Sequence, residues 1–416
     1  MKTKNLILLA AVALMGTMQS CKNDSVTPDP VTVSTSATDL ISLLATTPPT
    51  ADATIDASWA NCNKLSTNTA QVPDTTLFGK IYTLFMGKTE NFTVRSQYDA
   101  NNIYFLVELA DLTQSTDNRA WYFDGKAWKQ PAAIADTTKV GQFGQDQFAM
   151  LFPVTVNAAW DKQTCLSTCH YGVLPKYGNH YTAKFKDASD IMTGFTADMW
   201  FWRSAGAQAN SQLTDAYVTT DSVATSAGSV VVTGKPVKGG RVGADAVADA
   251  TVTAFGTKNT QNLVITGSNP AKTVAVPFYV LPGAAYIKKS DVTSKAAKLV
   301  TAVDANGVLT LEDATKIDPT TTSDYSFLGS KKITYTLNGG ALVGTNGDIT
   351  SYANYVSGKG WVIKVIRKLA TDDKIFDAQF DIAKTYMFGF ATFDNANNQH
   401  LIKTNLKLSF ATVAVK

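Results

Sequence analysis

"NFTVRSQYDANNIYFLVELAD", residues 91–111, decides the fold class. Phe92 and Val94 alternate with polar neighbours, the two-residue period of a half-buried strand. "DANN" (99–102) follows, and Asp and Asn close tight turns by bonding their own backbone. "IYFLVEL" (103–109) is then aromatic and β-branched, the composition of a second strand. The reading is an antiparallel hairpin.

The same grammar extends outward along the chain. "QDQFAMLFPV" (145–154) is almost wholly apolar and reads as a central strand. "GWVIKVIRKL" (360–369) sets Trp361, Ile363 and Val365 on one face, and 385–413 reads as strand, polar loop, strand. "SVVVTGK" (229–235), "NLVITG" (262–267) and "VAVPFYVLPG" (274–283) read as strands or extended runs between turn signals such as "KGG", "GSNP" and "LNGG", with a further hairpin across "DANG" (304–307). No fixed-period internal repeat is present. Many short strands with regular turn punctuation predict an all-β chain, an immunoglobulin-like antiparallel β-sandwich with long loops.

The N-terminus reads as export. Lys2 and Lys4 precede "LILLAAVALMG", an apolar run too short to span a bilayer as a mature helix. "MQSC" (18–21) then resembles a bacterial lipobox, which implies a signal peptide over 1–20 and lipid on Cys21, with Met18 in place of the usual leucine. That anchor needs no transmembrane helix. Residues 21–50 are rich in Thr, Ser, Asp and Pro and read as a tether. "ATIDASWANCNKLS" (53–66) opens the folded part, with Trp59 as a core anchor and Cys62 as a buried, inert thiol. The chain carries 37 Lys and Arg against 34 Asp and Glu, a balance that argues against a nucleic-acid partner. There is no phosphate loop, dinucleotide fingerprint or Gly-x-Ser-x-Gly elbow.

"KQTCLSTCHYG" (162–172) carries the chemistry. Cys165 and Cys169 are four apart and His170 follows directly, one residue longer than the Cys-x-x-Cys-His signal for covalent haem attachment. A Cys165–Cys169 disulfide fits an oxidising compartment. A zinc site from Cys165, Cys169, His170 and His180 has the right ligand types.

In order along the chain, "YDANNIYFLVELAD", "QDQFAMLFPV", the Cys-His loop, "DMWFWRS", "GDITSYANYVSGKGWVIKVIRKL" and "YMFGFATFDNANNQH" resemble the ethylbenzene-dehydrogenase-related haem-binding domain family, akin to DOMON and family-9 carbohydrate-binding sandwiches. The resemblance covers most of 51–413 and thins over about 208–340, which reads as a β-rich insertion. It implies a DOMON-like sandwich holding one haem. Some relatives hold haem b through a loop methionine and a late lysine or histidine. Others carry Cys-x-x-Cys-His before an Asp-x-Trp-His-Trp motif, where this chain has Phe201 in the histidine's place. In that context the longer spacer leaves the Cys169–His170 adjacency intact. Cys165 and Cys169 are then the thioether donors to haem c, and His170 is the proximal iron ligand.

The chain has three histidines, His170, His180 and His400. His180, in "GNHYT", is the first candidate for the sixth ligand. His400 is its rival, followed by Lys403, Met192 and Met199. A second histidine would hold the potential below that of a His/Met pair. Trp200, Phe201, Trp202 and Tyr181 read equally as a haem wall or plain core. The expectation is a lipid-anchored, single-haem electron carrier of a Gram-negative-type cell envelope, on the periplasmic face or the surface. It would serve a redox partner protein and catalyse nothing itself. A haem-free carbohydrate-binding or structural surface lipoprotein with a pinned loop is the alternative.

Overall fold

The computed structural model describes residues 33–71, 76–77, 80–81, 88–116, 118–130, 144–156, 160–164, 196–206, 210–219, 241–242, 258–320, 332–338, 341–342, 347–374, 376–396 and 400–415. The longer elements are β1 (Asp39–Ala45), β2 (Lys64–Gln71), β3 (Thr89–Tyr98), β4 (Asn102–Leu109), β5 (Gln147–Thr155), α1 (Trp160–Gln163), β6 (Thr196–Arg203) and β7 (Thr214–Thr219). They continue with β8 (Gln261–Val264), β9 (Thr273–Val276), β10 (Lys298–Val303), β11 (Leu309–Leu311), β12 (Thr350–Val356), β13 (Gly360–Lys368), β14 (Tyr386–Phe393) and β15 (Leu401–Val415).

The hairpin at 91–111 forms as its sequence requires. β3 and β4 pair antiparallel from Phe92 opposite Leu109 to Tyr98 opposite Ile103. Asp99 Oδ1 accepts the Asn101 and Asn102 backbone N–H groups, closing the turn. The main sheet runs β7–β6–β5–β14–β15–β1–β3–β4–β13–β12, with β2 bridging β15 and β3.

Ring contacts show how this sheet is arranged. Phe105 on β4 lies 6.2 Å from Phe152 on β5 and 5.5 Å from Trp200 on β6, although these strands are far apart in the hydrogen-bonding order. Trp202 on β6 lies 5.1 Å from Trp361 on β13, and Phe92 on β3 stacks on Phe390 of β14 at 4.1 Å. The sheet is doubled on itself into two layers, a β-sandwich, and the inward alternate residues of both layers form one core.

The outer face of the β3–β4–β13 layer is covered as well. Lys364, which alternation turns away from the core, is buried and donates to the Thr50 carbonyl and hydroxyl at 2.7 and 2.8 Å. Gln97 Nε2 donates to Ser58 Oγ at 3.0 Å. Trp59 and Cys62 are buried in the same segment, and Cys62 is a free thiol whose pKa burial pushes up to about 12.

Two boundaries differ from the sequence reading. The stretch read as a tether up to residue 50 is folded from residue 33: β1 pairs parallel with both β15 and β3, burying Leu40 and Leu43. The Thr, Ser and Pro around "DLISLLA" dominate the composition, but the seven-residue run fills a slot between two strands. The stretch read as an insertion from about 208 contributes β7 to the main sheet. Within it, residues 258–338 build a second small core of Val276, Val280, Val300, Val303, Leu309 and Leu311 around Trp121, Phe123 and Trp128, which come from the loop after β4. The "DANG" turn joins β10 to β11. Gly307 there has φ +80°, and a Cβ would collide with the Phe123 ring, so this turn requires glycine.

Candidate functional site

The loop between β5 and β6 is where the predicted chemistry sits. Cys165, Cys169, His170, His180, Tyr181 and Met192 fall within 165–195 and lie outside the described residues, as does Cys21. The described residues show the base of that loop. Trp160, wholly buried, donates from Nε1 to the Met387 carbonyl at 2.8 Å. Thr164, also buried, accepts the Asn405 backbone N–H at 3.4 Å. Both residues of that bond are left-handed, Thr164 at φ 38° and Asn405 at φ 58°. Asparagine tolerates the region, whereas a β-branched threonine rarely enters it. The residue just before Cys165 is thus held against β15 in a conformation its side chain disfavours. Strain of this kind persists only where the surroundings over-determine it.

The late candidates separate along β15. His400 immediately precedes the strand and is half-buried, its ring 4.8 Å from that of Phe393. Phe393 stands opposite Gln147, where β5 begins, rather than at Thr155, where β5 leads into the loop. Measured from Asn405, His400 is five residues away and Lys403 two, about 17 and 7 Å at the rise of a strand. Trp200 and Trp202 belong to the sandwich core. Met199 and Phe201 alternate onto the opposite face, where Phe201 packs on Phe393.

Two buried acidic clusters were not singled out in the sequence. In the first, Arg367 Nη2 lies 3.0 Å from Asp198 Oδ2 and 3.4 Å from Asp377 Oδ2, with neither arginine nor Asp198 side chain exposed. Arg367 Nη1 donates to the Ala378 carbonyl at 2.7 Å, and the guanidinium lies over the Trp200 ring at 5.2 Å. Asp215 joins Asp198 and Asp377 within 4.8 Å. Burial raises all three carboxyls. The raised value of Asp377 is about 7, with Asp198's charge adding to burial and Arg367 opposing it. A signal was available: Asp198 shares the period-two face of Trp200 and Trp202, and Arg367 that of Ile363 and Val365, so alternation alone points both inward.

The second cluster joins Asp111, Asp146 and Asp394 at the other end of the sandwich. Asp146 Oδ2 accepts the Ser115 N–H at 2.6 Å and Trp361 Nε1 at 2.8 Å, and its Oδ1 accepts the Asn395 N–H at 3.0 Å. Burial, reinforced by Asp111, nevertheless pushes it to about 8. Glu90 is also pushed to about 8, by burial first and then by Asp111 and Asp394. Asp111, Asp146 and Asp394 sit one or two positions beyond strand ends, where charged residues are ordinarily solvated, so no local pattern marks them.

Residues 56–404 match the family described as ethylbenzene dehydrogenase. The chain belongs to the ethylbenzene dehydrogenase family. The family match takes in every strand from β2 to β14, the Cys-His loop and both acidic clusters, and leaves β1 outside it. No curated protein matches the chain. Among solved structures, it is similar to a family-9 carbohydrate-binding module from Caldicellulosiruptor kristjanssonii in complex with cellotriose. The identity is 7% and the TM-score 0.28, over 90% of this chain and 94% of that one. The same module in complex with glucose matches with the same identity and score, over 96% of its own length.

Proposed function

We propose that this ethylbenzene dehydrogenase family chain is an envelope-anchored, single-haem c-type cytochrome that passes single electrons between partner proteins. The observation that carries the reading is Cys165-x-x-x-Cys169-His170 on the loop between β5 and β6 of a chain from this family. Two thiols can form thioethers with the two vinyl groups of one haem, and the adjoining imidazole can reach its iron. The bound group would supply an iron that cycles between two oxidation states. The chain's part is to hold it: Thr164 and Trp160 fasten the loop's first turn to β15 and β14. His180 is the leading sixth ligand. Among late residues, Lys403 lies nearer the loop's base than His400.

With His170 and a second side chain such as His180 both holding the group, it would supply electron transfer and leave no place for substrate, which favours a carrier over a catalyst. Cys21 carries the lipid anchor in this reading, placing the chain at the membrane of a Gram-negative-type envelope. Among the described residues no helix is long and apolar enough to cross a membrane.

The test is a pyridine haemochrome spectrum on protein matured with a c-type assembly apparatus. One covalent haem per chain is expected, lost in Cys169→Ala. Haem-free protein with a Cys165–Cys169 disulfide overturns the reading. Incorporation of labelled palmitate into wild type but not Cys21→Ser tests the anchor.

A further inference from the structure

Four carboxylates meet at the end of the sandwich opposite to the one where β5 leads into the Cys165 loop. Glu90 is the second residue of β3, Asp111 follows β4, Asp146 precedes β5 and Asp394 follows β14. Asp146, just before β5, and Thr155, at its end and opposite Thr196, are nine residues apart, about 30 Å at the rise of a strand. Asp111, Asp146 and Asp394 each offer a carboxylate oxygen within 4.8 Å of the other two. Oxygens around one calcium ion, each at about 2.3–2.6 Å, lie no more than about 5 Å apart.

Acidic clusters are common without a ligand, so the decisive observation is a different one. Asp111 is 7% exposed. Its Oδ1 accepts the Thr113 N–H and hydroxyl at 2.9 and 3.0 Å, and its Oδ2 is buried with no hydrogen-bond partner. Glu90 Oε2 is also buried with no partner. A polar atom left unsatisfied in the interior costs about 1–3 kcal/mol, and more when charged. Asp146, in contrast, is held by three N–H donors, the arrangement that suits an ionised carboxylate. Lys88 acts on Asp394, opposing the rise that burial and Asp111 cause there.

The Asp198 cluster makes the comparison. Its acids are as close together and all three are buried, whereas Asp394 is half-buried, but Arg367 stands among them as a cation supplied by the chain. Among the described residues, no arginine pairs with the acids of the Asp111 cluster.

We propose that Asp111, Asp146 and Asp394, with Glu90 beside them, form a binding site for one divalent cation, calcium by preference. The donors are all oxygen, which selects a hard cation over zinc or copper. Magnesium demands a tighter octahedron and keeps most of its water, whereas calcium accepts several carboxylates in irregular geometry. Asp111 extends from the β4–β13 layer, and Asp146 and Asp394 from the β5–β14 layer. The ion therefore clamps the two layers at this end, beside the Trp361–Asp146 bond that already crosses between them.

The test uses the full mature chain, stripped with chelator and dialysed. Calorimetric titration with calcium chloride is expected to give one site. The unfolding temperature should rise with the logarithm of free calcium, because the ion binds only the native state. Asp111→Asn should weaken binding at least tenfold, while Asp313→Asn, exposed in the 258–338 region, should not change it. If Asp111→Asn does not fold, terbium decides on wild type. Trp361, bonded to Asp146, should sensitise terbium emission, excess calcium should quench it, and Trp361→Phe should reduce it. Absence of binding heat and of a thermal shift up to about 10 mM calcium, beyond the range of weak extracellular sites, overturns the proposal. So does binding that Asp111→Asn leaves undiminished, or terbium emission that calcium does not displace. The haemochrome result bears on none of these outcomes, so this site and the haem reading stand or fall separately.

Discussion

Arg367 and the carboxylates around it carry the sharpest consequences of single side chains. A buried ion pair is weak evidence of net stability, yet removing one partner strands the other. Arg367→Ala leaves Asp198 and Asp377 in the interior without their guanidinium, and is expected to cost about 3–5 kcal/mol. Urea unfolding checks this as a lower midpoint at unchanged slope. A cost below 1 kcal/mol would show that the acids are already neutral. Asp377 makes a pH prediction. Its folded pKa of about 7 lies above the ordinary carboxylate value, so the folded state holds this proton more tightly than the unfolded chain. That contribution is present at low pH and is lost as pH rises from about 4 towards 7. Relative to wild type, Asp377→Asn should therefore gain stability across that window. Urea midpoints measured from pH 4 to 7 check it, and a constant difference between the two proteins would refute the assignment. At this scale the inward direction of Asp198 and Arg367 was written in period-two alternation. Which acids stand beside them was not, because Asp215 and Asp377 arrive from distant positions.

Elements were legible where local pattern and tertiary environment agree. The β3–β4 hairpin, β5, β13 and the β14–β15 pair each announce themselves through alternation or an apolar run bounded by turn residues. β1 did not, because "DLISLLA" is short and set in a Thr-, Ser- and Pro-rich stretch whose average composition reads as unfolded. Its place between β15 and β3 makes it part of the sheet rather than a leader to it. Removing residues 22–50 should consequently leave two strands unpaired along one edge and abolish cooperative unfolding. Removing 22–32 should not. Far-ultraviolet dichroism and limited proteolysis of the two truncations check the contrast, and a compact, protease-resistant chain lacking 22–50 would show β1 to be dispensable. In the 258–338 region, Gly307→Ala should cost about 1–3 kcal/mol through the strained backbone alone, with further loss from the Phe123 ring. The measurement is thermal unfolding followed by tryptophan fluorescence, since Trp128 donates to the Gly307 carbonyl.

For the whole molecule, the sandwich sets two ends apart. One carries the base of the Cys165 loop and the Arg367 cluster, and the other carries Asp111, Asp146 and Asp394. Under the haem reading, His180→Ala should convert a low-spin iron to high spin, while His400→Ala leaves the spectrum unchanged. Lys403→Ala is the decisive comparison if His180→Ala stays low-spin. The sequence by itself determined the β class, because strand periodicity and turn chemistry are local properties. It also determined the Cys-His constellation, because adjacency along the chain is all that motif requires. Only the tertiary structure decided that the sheet doubles on itself, that β1 is built into it, and that acids from four separate strand ends converge. Those are long-range contacts, set by where apolar faces find one another, and no window of neighbouring residues encodes them.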